Sequence, residues 1–481
     1  MVPAKLPLGS MTHNIAGFQG QGAIARQHFK DARLNELAEL GNVAQFVSFG
    51  PDGVQRFGRI AGLAPNEALE STASALGLLI ERSGERRINL RCFRPDQPQG
   101  NEFVYGINTT DEAETAVFRL IRQGLFVIAN ETIDVNDGGV SGVAQGGAIE
   151  FAPGATPRVV ETARVTGLPL NIGLSVLRSV YGFDLEIPLP PDWRVEFSIH
   201  PVCRGFRHMH SVLWEAEKAP GTNLTLSPRW PNSFSQFIGD KVFGLLLAES
   251  IGLSVPRTTA ICRGVAPFSF GQSTSSEVKW LRTCPRLPEP GLYPTVRGWT
   301  DPFHLMASDT GDRIAAVLVQ EEVPATFAGA MLTDRRGSPI IEGVHGFGDQ
   351  LMLGRAHPIA LPAHLLGMLE ELHRAAFDAC GSVRIEWGFD GRRVWVFQLQ
   401  QEAATSDGLV VVPGEVDTEV DFMVSDGLEG LRELVEQLVG TRTGIRLVGS
   451  IGITSHIADV LRRHKIPSRI LPLRQEDHAE Q

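Results

Sequence analysis

The chain has 481 residues, of which 43% are hydrophobic and 21% charged, a balance that excludes a wholly disordered, collagen-like or coiled-coil protein. Its 44 Lys and Arg against 55 Asp and Glu leave a net charge of −11, so a broad nucleic-acid-binding face would need basic residues gathered against the overall field, and no such cluster occurs. At about 150 residues per domain the length predicts about three domains.

Helix-forming residues with helical apolar spacing predict helices over 25–40 and 65–81, followed by a strand over 88–92. A helix over 111–122 and a strand over 125–135 come next, the strand ending at Asn136, Asp137, Gly138 and Gly139. A Pro-rich passage over 187–193 leads into a strand over 194–200, and a second passage, with Pro220, Pro228 and Pro231, marks a boundary. Beyond it an apolar-faced helix is expected over 241–251, with Gly252 as its stop and Val255-Pro256 as a strand entry. A strand over 314–322, a long amphipathic helix over 362–380 and two short strands over 383–400 around Asp390-Gly391 complete this unit. The tail alternates again, with helices over 430–439 and 457–464 on either side of a strand over 445–449.

The halves echo one another. Leu90-Arg91, Val127-Ile128 with Glu131, Ser141-Gly142, Ile149-Glu150 and Arg194-Val195-Glu196-Phe197 occur in the first. Val296-Arg297, Val317-Leu318 with Glu321, Ala328-Gly329, Ile341-Glu342 and Arg384-Ile385-Glu386-Trp387 occur in the same order in the second. Duplication is one reading; coincidence among common strand-and-turn patterns is the other.

From residue 238 onward the chain resembles a known family. Ile238-Gly239-Asp240-Lys241, the apolar helix after it, and Gly252-Leu253-Ser254-Val255-Pro256 resemble the opening of the ATP-binding domain of phosphoenolpyruvate synthase and pyruvate phosphate dikinase, an ATP-grasp relative. Val296-Arg297 with Asp301, Val319-Gln320, Phe327-Ala328-Gly329, Ile341-Glu342, Gly346-Phe347-Gly348-Asp349, Arg384-Ile385-Glu386-Trp387 and Phe397-Gln398-Leu399-Gln400 continue the likeness through residue 401. In the tail, Thr454-Ser455-His456-Ile457-Ala458 and Lys465-Ile466-Pro467 resemble the swivelling phosphohistidine domain of the same enzymes. Departures are Gly298-Trp299 in place of Ser-Ser, Asp349 in place of Glu, and Gln400 where the family has an arginine that fixes nucleotide phosphates. Only 25 residues follow His456, too few for a (β/α)₈ barrel of about 250.

The resemblance implies an α/β (α+β) fold: an N-terminal α/β domain over 1–230, an ATP-grasp-like domain over 231–403 and a small swivelling-like α/β domain over 405–475. It also implies that Lys241, Arg297, Gln320, Glu342, Gly346 and Gly348 hold ATP, that Glu386 and Gln398 hold Mg2+, and that His456 carries a phosphoryl group. Cations on phosphate oxygens, hard oxygen ligands for magnesium and a nucleophilic imidazole are what such a transfer requires. Each residue has a structural alternative: Lys241 a solvated helix start, Arg297 a surface ion pair, the glycines ordinary turns, and His456 a packed or capping side chain. The expected function is an ATP-dependent phosphotransferase acting on an unnamed acceptor. The alternatives are an ATP-grasp ligase that activates a carboxylate and a nucleotide-sensing or partner-binding protein without turnover.

His200, His208 and His210 could suit a transition metal, but no fourth ligand is evident. The five cysteines lie far apart without a Cys-x-x-Cys pair, and the first 25 residues lack a secretory pattern, so a cytoplasmic setting is expected. Apolar runs such as 245–248 fall short of the roughly 18 residues that a spanning helix needs, so no membrane partner is expected; a homo-oligomer stays open.

Overall fold

A computed structural model describes residues 29–95, 102–156, 165–187, 192–219, 228–286, 295–307, 313–402, 406, 409–449 and 451–471. The fold is mixed α+β. It has four antiparallel sheets in two pairs, followed by a small, mostly parallel sheet.

The first sheet comprises Phe46–Phe49, Gln55–Arg59, Ile88–Phe93, Phe103–Ile107 and Phe126–Glu131. The third comprises Thr258–Cys262, Phe268–Phe270, Lys279–Pro285, Thr295–Arg297 and Ile314–Glu321. With strands numbered in chain order, both sheets run 2-1-5-3-4. The second sheet (Val140–Gln145, Ala148–Pro153, Thr166–Pro169, Trp193–Arg204, Met209–Lys218) and the fourth (Phe327–Thr333, Pro339–His345, Val383–Phe389, Val394–Gln401) also share one order, except that the second adds Thr166–Pro169 at its edge.

The repetition extends to individual residues. Gly142 opposes Phe151 and Phe197, and Val143 opposes Glu150 and Glu196. In the fourth sheet Gly329 opposes Gly343 and Trp387, and Ala330 opposes Glu342 and Glu386. A Cβ on Gly142 would stand 2.4 Å from the Glu150 carbonyl oxygen, and one on Gly329 would stand 2.0 Å from that of Glu342, so both positions exclude any side chain. The same β-bulge recurs: Phe197 pairs with Leu213 and Glu196 with Glu215, while Trp387 pairs with Val396 and Glu386 with Gln398. One term of the sequence echo needs correction. Leu90 and Arg91 oppose Ala129 and Ile128 as Leu281 and Arg282 oppose Val319 and Leu318, so the counterpart of Arg91 is Arg282, not Arg297.

The helix Asp240–Ser250 buries Val242, Phe243, Leu245, Leu246, Leu247 and Ala248. A helix apolar nearly all round must be covered on every side. This one packs on Val394–Gln401 and on the helices Leu170–Tyr181 and Ser233–Ile238, at about 1.5–3 kcal/mol for each large side chain removed from water. Predicted helix 65–81 forms as Thr72–Arg82, because Ser71 accepts a hydrogen bond from the Ser74 amide and sets the start there. Residues 25–28 of predicted helix 25–40 lie outside the described residues; its helix is Lys30–Leu40. In the tail, Val410–Val412, Thr418–Met423, Thr443–Val448 and Ser468–Leu471 form the fifth sheet, flanked by the helices Gly427–Leu438 and His456–His464. Among the described residues no helix is long and apolar enough to cross a membrane.

Candidate functional site

A cavity of about 820 Å³ opens between the third and fourth sheets, with the start of helix Asp240–Ser250 at its wall and helix His456–His464 across from it. Strand alternation explains which side chains meet there. Trp280, Arg282 and Cys284 share one face of Lys279–Pro285; Arg384 and Glu386 share one face of Val383–Phe389; Gln398 and Gln400 share one face of Val394–Gln401. All seven line the cavity.

Of the residues expected at a nucleotide site, Lys241, Gln320, Gly348, Glu386, Gln398 and His456 line this space. Arg297, Glu342 and Gly346 do not. Arg297 is exposed and makes a two-pronged ion pair with Glu322, its Nε 2.6 Å and its Nη2 3.0 Å from the carboxylate oxygens. Gly346 occupies a turn with φ of 72°. Glu342 serves the tail domain instead: its carboxylate accepts hydrogen bonds from the Ile453 amide (2.9 Å), the Thr454 amide (2.9 Å) and the Thr454 hydroxyl (2.6 Å). Gly452 permits this approach, since a Cβ there would sit 2.5 Å from Glu342 Oε2.

Two arginines missed in the sequence line the site. Arg282 lies 3.5 Å from Glu386. Arg384, 5% exposed, donates from Nη2 to the Thr454 carbonyl (2.7 Å) and is ion-paired with Asp459. The signal for Arg384 was available, because a residue two before Glu386 on a strand shares its face. Arg282 had no such signal, as its strand was not foreseen. Burial works to raise the Glu386 pKa, but Arg282, His456, Arg384 and Lys241 together hold it below the usual carboxylate range. The Lys241 ammonium makes no hydrogen bond or ion pair among the described residues, and burial lowers its pKa, with Cys284 and Glu386 working the other way. Burial, with help from Arg384, lowers that of His456 to about 4, so its imidazole is neutral near pH 7. His456 Nδ1 is 3.2 Å from Asp459 Oδ2, and no hydrogen bond to Nε2 is found among the described residues. The Cys284 thiol is pushed up to about 11 by burial and is therefore inert.

Asp240 is 4% exposed and neither carboxylate oxygen has a hydrogen-bond partner. Burial raises its pKa to about 6. The folded state then binds this proton more tightly than the unfolded chain, so stability is lost as pH rises from about 4 towards about 6. Asp240→Asn is expected to raise unfolding stability at pH 7.5 by about 2 kcal/mol, a gain that vanishes below about pH 4. Denaturant midpoints at the two pH values check this, and a variant less stable than wild type at pH 7.5 contradicts it.

The histidines weighed for a metal do not converge. His200 lies between Ser198 (2.8 Å) and Asp137 (2.7 Å), His210 is bonded through Nδ1 to the His200 carbonyl, and His208 sits in a turn. Among the described residues no group of three or more His, Cys, Asp or Glu side chains is placed to hold a metal ion.

No family model matches the chain, and no curated protein does. Solved structures do. D-alanine–D-alanine ligase from Helicobacter pylori matches at 12% identity and a TM-score of 0.25, over 36% of this chain and 54% of that one. A RimK-domain ATP-grasp protein from Sphaerobacter thermophilus matches at 15% and 0.21, over 34% and 58%. D-cycloserine synthetase DcsG matches at 18% and 0.25, over 42% and 65%. The chain therefore spans between about half and two thirds of each, and at these scores the likenesses carry no argument about the site. They correct the family expectation: the matched structures are ATP-grasp ligases, not phosphoenolpyruvate synthase or pyruvate phosphate dikinase. The motifs behind that expectation are short strand-and-turn segments, which different families can share.

Proposed function

We propose that the cavity between the third and fourth sheets binds the phosphates of ATP, and that the protein is an ATP-grasp ligase that activates a carboxylate as an acyl phosphate. The carrying observation is that Lys241, Arg282 and Arg384 surround one largely buried carboxylate, Glu386. Positive charge fixed in a water-poor cleft suits a polyphosphate and the charge that develops as its terminal group transfers. Glu386 and Gln398 face each other across the ladder and both line the cavity. Their carboxylate and amide oxygens fit Mg2+, which takes few protein ligands beside phosphates and water. Magnesium there would neutralise phosphate charge.

The test is positional isotope exchange. ATP carrying oxygen-18 in its β–γ bridge is incubated with the protein, magnesium and a panel of amino and hydroxy acids. Carboxylate-dependent scrambling of the label is expected; ADP formation that no carboxylate stimulates would contradict ligation.

One observation favours a second reading, phosphoryl transfer through His456: its neutral imidazole lines the cavity beside Lys241, Arg282 and Glu386. In that step Nε2 attacks the γ-phosphorus, the bond to the bridging oxygen breaks and ADP leaves. Acid-labile, base-stable label from γ-labelled ATP, absent in His456→Ala, is its expected mark; no label on wild type would remove it.

A further inference from the structure

We propose that only the second of the two repeats is an anion site, and that the first is a latent copy held shut by Glu215 and Glu217. This rests on the reading that the cavity of the second repeat takes a polyphosphate. Register places Arg91 at the position of Arg282, Arg194 at that of Arg384 and Glu196 at that of Glu386. The cationic part of the site is thus present twice. The difference lies on the neighbouring strand, where Gln398 and Gln400 of the second repeat correspond to Glu215 and Glu217 of the first.

Those carboxylates occupy the cations. Glu215 Oε1 accepts from Lys30 Nζ and Oε2 from Arg91 Nη1, each at 2.9 Å. Arg194 Nη1 lies 2.6 Å from Glu196 and 3.6 Å from Glu217. In the first repeat, Lys30, Arg91 and Arg194 therefore face three carboxylates. In the second, Gln398 and Gln400 place no carboxylate at these positions; Arg282 lies 3.5 Å from Glu386, and Arg384 is paired with Asp459 of the tail domain and lies in the field of Glu402, Glu386 and Glu342. Cations neutralised by neighbouring carboxylates offer no field to a phosphate, and an entering phosphate would set half-buried Glu215 against a like charge. Trp280 of the second repeat is Asn89 in the first, so an opened first site would take a phosphate chain without an aromatic wall for a base.

The experiment titrates the full chain with inorganic triphosphate in metal-free buffer by calorimetry. Wild type is expected to bind one equivalent, and Glu215→Gln/Glu217→Gln to bind two. The exchange in reverse, Gln398→Glu, is expected to lower the affinity of the wild-type site about tenfold or more, and it reads the same idea should the double variant fail to fold. No binding by wild type would overturn the nucleotide reading and the inference with it. One equivalent in wild type but still one in a folded double variant, two in wild type, or unchanged affinity in Gln398→Glu would overturn the inference alone.

Discussion

Arg384→Met is expected to lower the stability with which the tail domain sits on the fourth sheet by about 3–5 kcal/mol, the usual cost of removing one partner from a buried charge pair. Arg384 is 5% exposed and joins the two units through the Thr454 carbonyl and Asp459. Its loss would leave Asp459 with Arg462, at 2.5 Å, as its remaining arginine and His456 at 3.2 Å, and remove one of the cations that keep Glu386 ionised. Hydrogen exchange should therefore show faster exchange in the helix His456–His464 and in residues 451–455, while the first sheet keeps its protection. Unchanged exchange in that helix would show that Arg384 does not hold the domain in place. Glu342 contributes to the same docking through three hydrogen bonds, so protection should fall by less in Glu342→Gln, which keeps the shape and loses the charge.

Lys241→Met should weaken ATP binding by about 100-fold, the equivalent of a charge-assisted hydrogen bond of nearly 3 kcal/mol. The reason is that its ammonium has no hydrogen-bond or ion-pair partner among the described residues, in a cleft where burial already disfavours its charge. A phosphate would restore what burial takes away. The pH dependence follows with its sign. Free Lys241 is held below the ordinary lysine range, so binding a polyphosphate raises its pKa and takes up protons where free lysine is partly neutral. Calorimetry in two buffers of different ionisation enthalpy measures that uptake, which Lys241→Met should abolish. Equal affinity in wild type and variant would place the phosphates elsewhere.

Much of the site was legible in the sequence, and what was missed has physical causes. Lys241, Glu386, Gln398 and His456 stand in short motifs whose neighbours fix their direction, and the cavity gathers all four. The resemblance marks Arg297, beside Val296, as a phosphate cation, but in the structure it makes a surface pair with Glu322. The cation at the corresponding depth is Arg282, on a strand whose mixed sequence, Lys279–Pro285, has no clear alternation of polar and apolar residues. Glu342 was expected at a nucleotide and holds the tail domain, because which face of a strand a neighbouring unit will cover is a tertiary fact. The long strands Trp193–Arg204 and Met209–Lys218 were only partly foreseen, since Pro201 and the turn at Gly205 interrupt the pattern. The repeat was audible in pairs of residues, yet the weight of Glu215 and Glu217 against Gln398 and Gln400 depends on register, which only the paired strands reveal.

One cavity, between the third and fourth sheets, is proposed to receive the nucleotide. The most direct measurement is photolabelling of the full chain with 8-azido-ATP, followed by mass spectrometry of the labelled peptides. Label is expected in peptides that contain cavity-lining residues such as Trp280 and Phe347, competed away by ATP and lost in Lys241→Met. ATP-competable label confined to the first two sheets, or none at all, would contradict the account.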